Sequence, residues 1–143
     1  MTKRTLLVAD TSVLLKWVNQ IDEHHLPQAR KLLDRFEAGK IQIIVPLLVK
    51  YEIGNALLKG KKLPTLEAQD ALNAFSQLPL SYADIDSKGM SDTYEIANEL
   101  IITFYDAAFL YLAQKHKATL VTDNPKHQKK HEGIRVIALK DYR

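Results

Sequence analysis

The strongest constraint on this chain is a recurring change of period along it. Short β-branched or apolar runs at residues 5–9, 41–45, 118–122 and 135–138 alternate with longer segments in which apolar residues recur at helical spacing. That alternation predicts βαβ units and a parallel sheet. A weaker fifth run covers residues 80–85, where Leu80, Tyr82 and Ile85 could be buried. The helical segments carry their own punctuation. Asp22 precedes Ala29, Leu32, Leu33 and Phe36; Pro46 precedes residues 47–58; Pro64 and Thr65 precede residues 68–75; Gly39 and Gly60 mark helix ends. Two further helices are predicted over residues 87–100 and 104–116. No repeat, low-complexity tract or Pro/Gly/Ser-rich linker interrupts the pattern, so residues 1–143 read as one α/β domain.

Composition narrows the function classes. With 46% hydrophobic and 26% charged residues, neither a disordered chain nor a multidomain enzyme is expected. The net charge of +3 favours an anionic partner only mildly. Cysteine is absent, which excludes disulfides, thiolate zinc sites and cysteine nucleophiles, so any metal must sit on oxygen or imidazole. The apolar run at residues 6–9 is too short for a signal peptide, and no window approaches the roughly eighteen apolar residues of a spanning helix. A cytoplasmic protein without a membrane partner is expected.

Four acidic residues stand where solvated ones rarely do. Asp10 and Asp123 each end a strand run, which places both at the carboxyl edge of the sheet, where open parallel sheets bind ligands. Taken alone, each reads as a helix cap. Glu52 shares a helix face with Leu48, Val49, Asn55 and Ala56, although a carboxylate snorkelling from the edge of that stripe would read the same. Asp106 shares a face with Phe109, Leu110 and Ala113, and a capping role fits it equally well. Together they pose an electrostatic problem: unit charges about 4 Å apart repel by about 4 kcal/mol at an effective dielectric of 20. Clustered carboxylates need a cation, and the hard ions Mg²⁺ and Mn²⁺ suit them, with a phosphate ester completing the shell. A receiver-type domain phosphorylated on Asp10 would leave Glu52 unexplained.

These residues and their neighbours resemble the PIN-domain ribonucleases, and within them the VapC-like toxins of toxin–antitoxin pairs. The matching pieces are DTSVLLKW at 10–17, YEIGNALL at 51–58, YDAAFLYLAQ at 105–114 and LVTDNPKH at 120–127. The resemblance implies a single-domain, three-layer α/β/α sandwich around a central parallel sheet. It implies that Asp10, Glu52, Asp106 and Asp123 form one acidic pocket that is both catalytic and metal-binding, with Mg²⁺ or Mn²⁺ as the cofactor. Asp10 and Asp106 would be direct ligands, Glu52 and Asp123 would complete the shell or orient the nucleophile, and Ser12 and Asn55 would support it. The activity implied is hydrolysis of RNA phosphodiesters by an endoribonuclease that acts as a toxin. A homodimer and a cognate antitoxin are the implied protein partners. A processing or decay nuclease without antitoxin, or a silent RNA-binding module, is the alternative.

Basic residues flank the acidic positions in sequence. Lys59, Lys61 and Lys62 follow the Glu52 helix, and Lys126, Lys129 and Lys130 follow Asp123; all six are expected to contact the RNA backbone. The five histidines, His24, His25, His116, His127 and His131, show no zinc pattern and read as surface residues. Val13, Leu14 and Trp17 should pack the first helix.

Overall fold

A computed structural model describes residues 4–127, 131 and 133–143. Five strands form one fully parallel sheet: β1 (Thr5–Ala9), β2 (Ile41–Pro46), β3 (Ser81–Ala83), β4 (Thr119–Thr122) and β5 (Val136–Ala138). All five predicted runs are strands, with ends shifted by a residue or two. The weak run at 80–85 shortens to the three residues of β3 at the sheet's edge.

Six α-helices connect them: α1 (Thr11–Val18), α2 (Leu26–Glu37), α3 (Leu48–Asn55), α4 (Thr65–Ser76), α5 (Ser87–Leu100) and α6 (Phe104–His116). The result is the expected α/β/α architecture. Leu7, Val8 and Ala9 of β1 are all buried, as a central parallel strand covered on both faces requires. Helix α6 lies against β1, β2 and β4, where its fully buried Phe109 and Leu110 join the core. Trp17 packs α1 onto α2, stacking on Phe36 with centroids 5.8 Å apart and donating its indole N–H to the Ala29 carbonyl at 2.9 Å.

Two helices depart from their sequence punctuation. Asp22 does not open α2; it sits in the connecting turn at φ 57°, and the helix begins at Leu26 with Pro27 in its first turn. The segment after Pro46 is not one α-helix, because Ala56–Gly60 winds as a π-helical turn. Its buried row is Val49, Ile53 and Leu57, which leaves Glu52 half-buried at the edge and Asn55 exposed.

The strand order β3-β2-β1-β4-β5 places the site. The chain leaves β1 toward β2 and β3, then returns through α5 and α6 to β4 on the other side of β1. The order therefore reverses between β1 and β4. Such a switch point opens a crevice beyond the carboxyl ends of the two strands.

Candidate active site

Asp10 and Asp123 follow the last residues of β1 and β4 and so meet at that crevice. The Asp10 N–H extends the β1–β4 pairing by donating to the Val121 carbonyl at 3.0 Å. Its carboxylate is buried and accepts from three neutral donors. These are the Thr11 N–H at 2.8 Å, the Ser12 hydroxyl at 3.0 Å and the buried Thr122 hydroxyl at 2.8 Å. Asp10 is thus the N-cap of α1 and a member of the site at once. Burial pushes its carboxyl above the usual range; the Thr122 and Ser12 bonds work against this, and the negative charge of Asp106 adds to it.

Glu52 reaches the same place from α3, and its Oε1 accepts the Thr11 hydroxyl at 2.7 Å. Its pKa is also raised, first by burial and further by Asp10 and Asp106, despite the Thr11 bond. Asp106 stands in the first turn of α6, but it is not the cap. Thr103 is, accepting the Asp106 N–H at 3.0 Å. Asp10, Glu52 and Asp106 therefore form an electrostatically coupled trio.

The fourth carboxylate behaves differently from expectation. Asp123 is bonded to the Lys16 ammonium at 3.0 Å and to His25 Nδ1 at 3.0 Å, so its charge is compensated within the protein. Its link to the trio is through the backbone: the Asp123 N–H donates to Ser12 Oγ at 3.1 Å, and that hydroxyl donates to Asp10. Ser12 thus bridges Asp123 to Asp10. Asn55 is exposed, outside the buried row of its helix.

The lysines also divide. Lys59, Lys62 and Lys126 are exposed. Lys61 is not an open cation: its ammonium is bonded to Glu23 at 2.5 Å and to the Ile21 carbonyl, so the expected phosphate contact is corrected there. Lys129 and Lys130 lie outside the described residues, as does the side chain of His127.

Sequence reasoning passed over Thr11, Lys16, Glu23, His25 and Thr122. For Lys16 a signal existed, because it is the one charged residue in the otherwise apolar run of residues 13–18. Burial works to lower its pKa, but Glu23 and Asp123 outweigh that and hold it above the ordinary lysine value. Burial likewise raises Glu23, and Lys16 and Lys61 overcome it, leaving the carboxyl below its usual range.

The donor set decides which cation the trio could hold. Among the described residues no three Asp, Glu or His side chains close on one point as a metal cage. Hard carboxylate oxygens that repel one another at a solvent-reached crevice instead fit an ion of the Mg²⁺ or Mn²⁺ type, which takes one or two carboxylates and fills its shell with water and phosphate oxygen.

Comparison with known proteins bears on the same residues. The family model for the PIN domain matches residues 7–133, a span that holds all four acidic positions. The chain belongs to the PIN domain family. One similar curated protein is the exonuclease VapC9 of Pyrobaculum aerophilum, 26% identical over 91 residues, which cover 64% of this chain and 68% of that one. Among solved structures, VapBC2 from Rickettsia felis bound to a DNA fragment from their promoter superposes with a TM-score of 0.72 at 20% identity. That match covers 94% of this chain and 98% of the other. VapC20 of Mycobacterium tuberculosis, a sarcin-ricin loop cleaving toxin, matches with a TM-score of 0.60 at 16% identity, over 80% of this chain and 86% of its own. At these identities the structural likeness establishes the PIN fold.

Proposed function

We propose that this PIN protein is a divalent-metal-dependent endoribonuclease that hydrolyses RNA phosphodiester bonds as the toxin of a toxin–antitoxin pair. The observation that carries the reading is the coupled trio of Asp10, Glu52 and Asp106 at the β1/β4 switch point, where two carboxyls are pushed up and the donors on Asp10 are all neutral. Carboxylates that raise one another's proton affinity favour a cation bound among them. Asp10, Glu52 and Asp106 would hold that ion, directly or through water. A bound Mg²⁺ or Mn²⁺ supplies Lewis-acid chemistry, lowering the pKa of a coordinated water and neutralising charge on the phosphoryl oxygens.

The protein's own residues do the rest. Thr11, Ser12 and Thr122 fix the Asp10 and Glu52 oxygens so that no side chain must reorganise during the reaction. Asp123 holds Ser12 in register from the neighbouring strand. The exposed Lys59, Lys62 and Lys126 bear on the RNA backbone by phosphate contacts that position without reading sequence.

An apolar surface adjoins the site and supports the antitoxin and homodimer. A groove of about 270 Å³ between the carboxyl ends of β2 and β3 and helix α6 is lined by Leu47, Leu48, Ile85, Met90, Phe104 and Tyr105. Tyr51 and Ile101 are exposed by 78% and 91%, and apolar patches of this kind on a small domain commonly receive a protein partner. No helix among the described residues is by itself long and apolar enough to cross a membrane. An RNA substrate is consistent with action in the cytoplasm.

The test is cleavage of a labelled structured RNA with both its 5′ and 3′ ends blocked, in Mg²⁺ or Mn²⁺, against EDTA and Asp106→Asn. Cleavage that needs the metal and Asp106 and survives the blocked ends supports an endonuclease. Cleavage lost on blocking turns the reading to an exonuclease. A broad RNA panel left uncut by the wild type, yet still bound, favours a silent binding module.

A further inference from the structure

A buried lysine and His25 pair with the carboxylate that follows β4. The Lys16 side chain is only 1% exposed, and its ammonium bridges Glu23 at 2.7 Å and Asp123 at 3.0 Å. The second Glu23 oxygen is held by Lys61 at 2.5 Å, and the π-helical turn after α3 brings Lys61 there. The Gln20 amide closes on the Lys16 carbonyl at 2.6 Å. The segment between α1 and α2 is thereby clamped, although Asp22 and His25 both hold left-handed φ angles of 57° and 58°. Burying an ammonium is costly unless it is paired on all sides, so this lysine answers a local need for positive charge.

The charges show what that need is. Lys16 and Lys61 balance Glu23 and Asp123, so these four residues close to neutrality among themselves. Asp10, Glu52 and Asp106 take no cation from this group. Asp123 is tied to Asp10 through its backbone, its N–H donating to the Ser12 hydroxyl that donates to Asp10, and it follows β4 at the same carboxyl edge of the sheet.

We propose that the Lys16 ammonium takes the place of a second cation, holding Asp123 so that the acidic centre accepts a single divalent ion on Asp10, Glu52 and Asp106. This rests on the metal-dependent nuclease reading and assigns its ion count. Lys16 is a positioning residue: it acts through Asp123 and touches neither the ion nor the RNA.

The experiment is Mn²⁺ titration of the RNA-free protein by calorimetry, with bound ions counted by electron paramagnetic resonance and each variant's fold checked by thermal melting. Wild type binds one ion per chain. Lys16→Met keeps the unbranched stem of the side chain without its charged end and gains a second ion. Adding Asp123→Asn to Lys16→Met removes that second ion and restores one. Asp123→Asn alone keeps one ion, with an affinity within about threefold of wild type. A merely structural lysine would give the opposite sign, weaker binding that tracks lost stability. If Lys16→Met does not fold, the Asp123→Asn protein and the charge-balanced double variant carry the test. Two ions on the wild type, no gained ion in folded Lys16→Met, or a first ion lost in Asp123→Asn would each overturn the proposal while leaving the nuclease reading in place. A wild type that binds no Mn²⁺ would overturn that reading itself and this proposal with it.

Discussion

Thr122 offers the cleanest test of how Asp10 is held. Its hydroxyl donates to Asp10 Oδ2 at 2.8 Å and accepts the Asn124 N–H at 3.0 Å, and the side chain is fully buried. Thr122→Val is nearly isosteric, so it opens no cavity, and the exposed Asn124 can turn its N–H to water. What remains is the bond to a carboxylate, worth about 1.5–3 kcal/mol when the acceptor is charged and about 0.5–1.5 kcal/mol when it is neutral. The expected loss is about 2 kcal/mol at neutral pH, or about 6 °C in Tm for a domain of this size. Urea unfolding across a pH series reads it. Because the Thr122 bond is one of the influences that lower the Asp10 pKa, its removal raises that pKa further. The loss should therefore shrink toward about 1 kcal/mol as the pH falls and Asp10 protonates. Thr122→Ser keeps the hydroxyl and should lose only about 1 kcal/mol of methyl burial, independent of pH. An equal loss for Val at every pH would show that Asp10 is not ionised beside Thr122 and would refute the account of the site.

Three further outcomes are expected. The raised pKa values of Asp10 and Glu52 mean that the folded protein binds protons more readily than the unfolded chain, so metal-free stability from these groups falls as pH rises from about 4 through their folded values. Mn²⁺ at a hundred times its pH 7 Kd should therefore stabilise the protein by about 2.7 kcal/mol at pH 7 and raise Tm less at pH 5, and an equal shift at both pH values would place the ion elsewhere. In Gly89→Ala the new Cβ would meet Tyr111 Oη at 2.6 Å and Cζ at 2.9 Å between α5 and α6. A loss of about 1–3 kcal/mol in chemical denaturation should follow, partly recovered by adding Tyr111→Phe, and no recovery would remove the hydroxyl as the cause. Lys59→Ala with Lys62→Ala should flatten the salt dependence of RNA binding by about 0.7 per lysine on a log–log plot, whereas Lys61→Ala should act on stability, and an unchanged slope would return Lys59 and Lys62 to plain solvated surface.

The carboxylates were legible because their anomaly is local. Asp10 and Asp123 end strand runs, and Glu52 and Asp106 interrupt apolar helix faces, all of which periodicity exposes without a partner in view. The same logic applied to a lysine among apolar residues would have singled out Lys16. Asn55 is exposed because the buried row of α3 runs through Val49 and Ile53, a face that ordinary helical spacing allows as readily as the one through Leu48, Glu52 and Asn55.

By itself the sequence determined the alternation of strands and helices, the parallel sheet and the residues able to carry acid chemistry, because periodicity and strand-end position are properties of neighbouring residues. Only the tertiary structure decided which of those residues share a charge problem. Thr122 reaches Asp10 across 112 positions, and His25 reaches Asp123 across 98, because β4 lies beside β1 and not beside β3. That strand order sets the distances between charges, and an electrostatic energy depends on distance in space, which separation along the chain does not encode. It made three carboxylates a coupled centre and gave the fourth to a buried lysine.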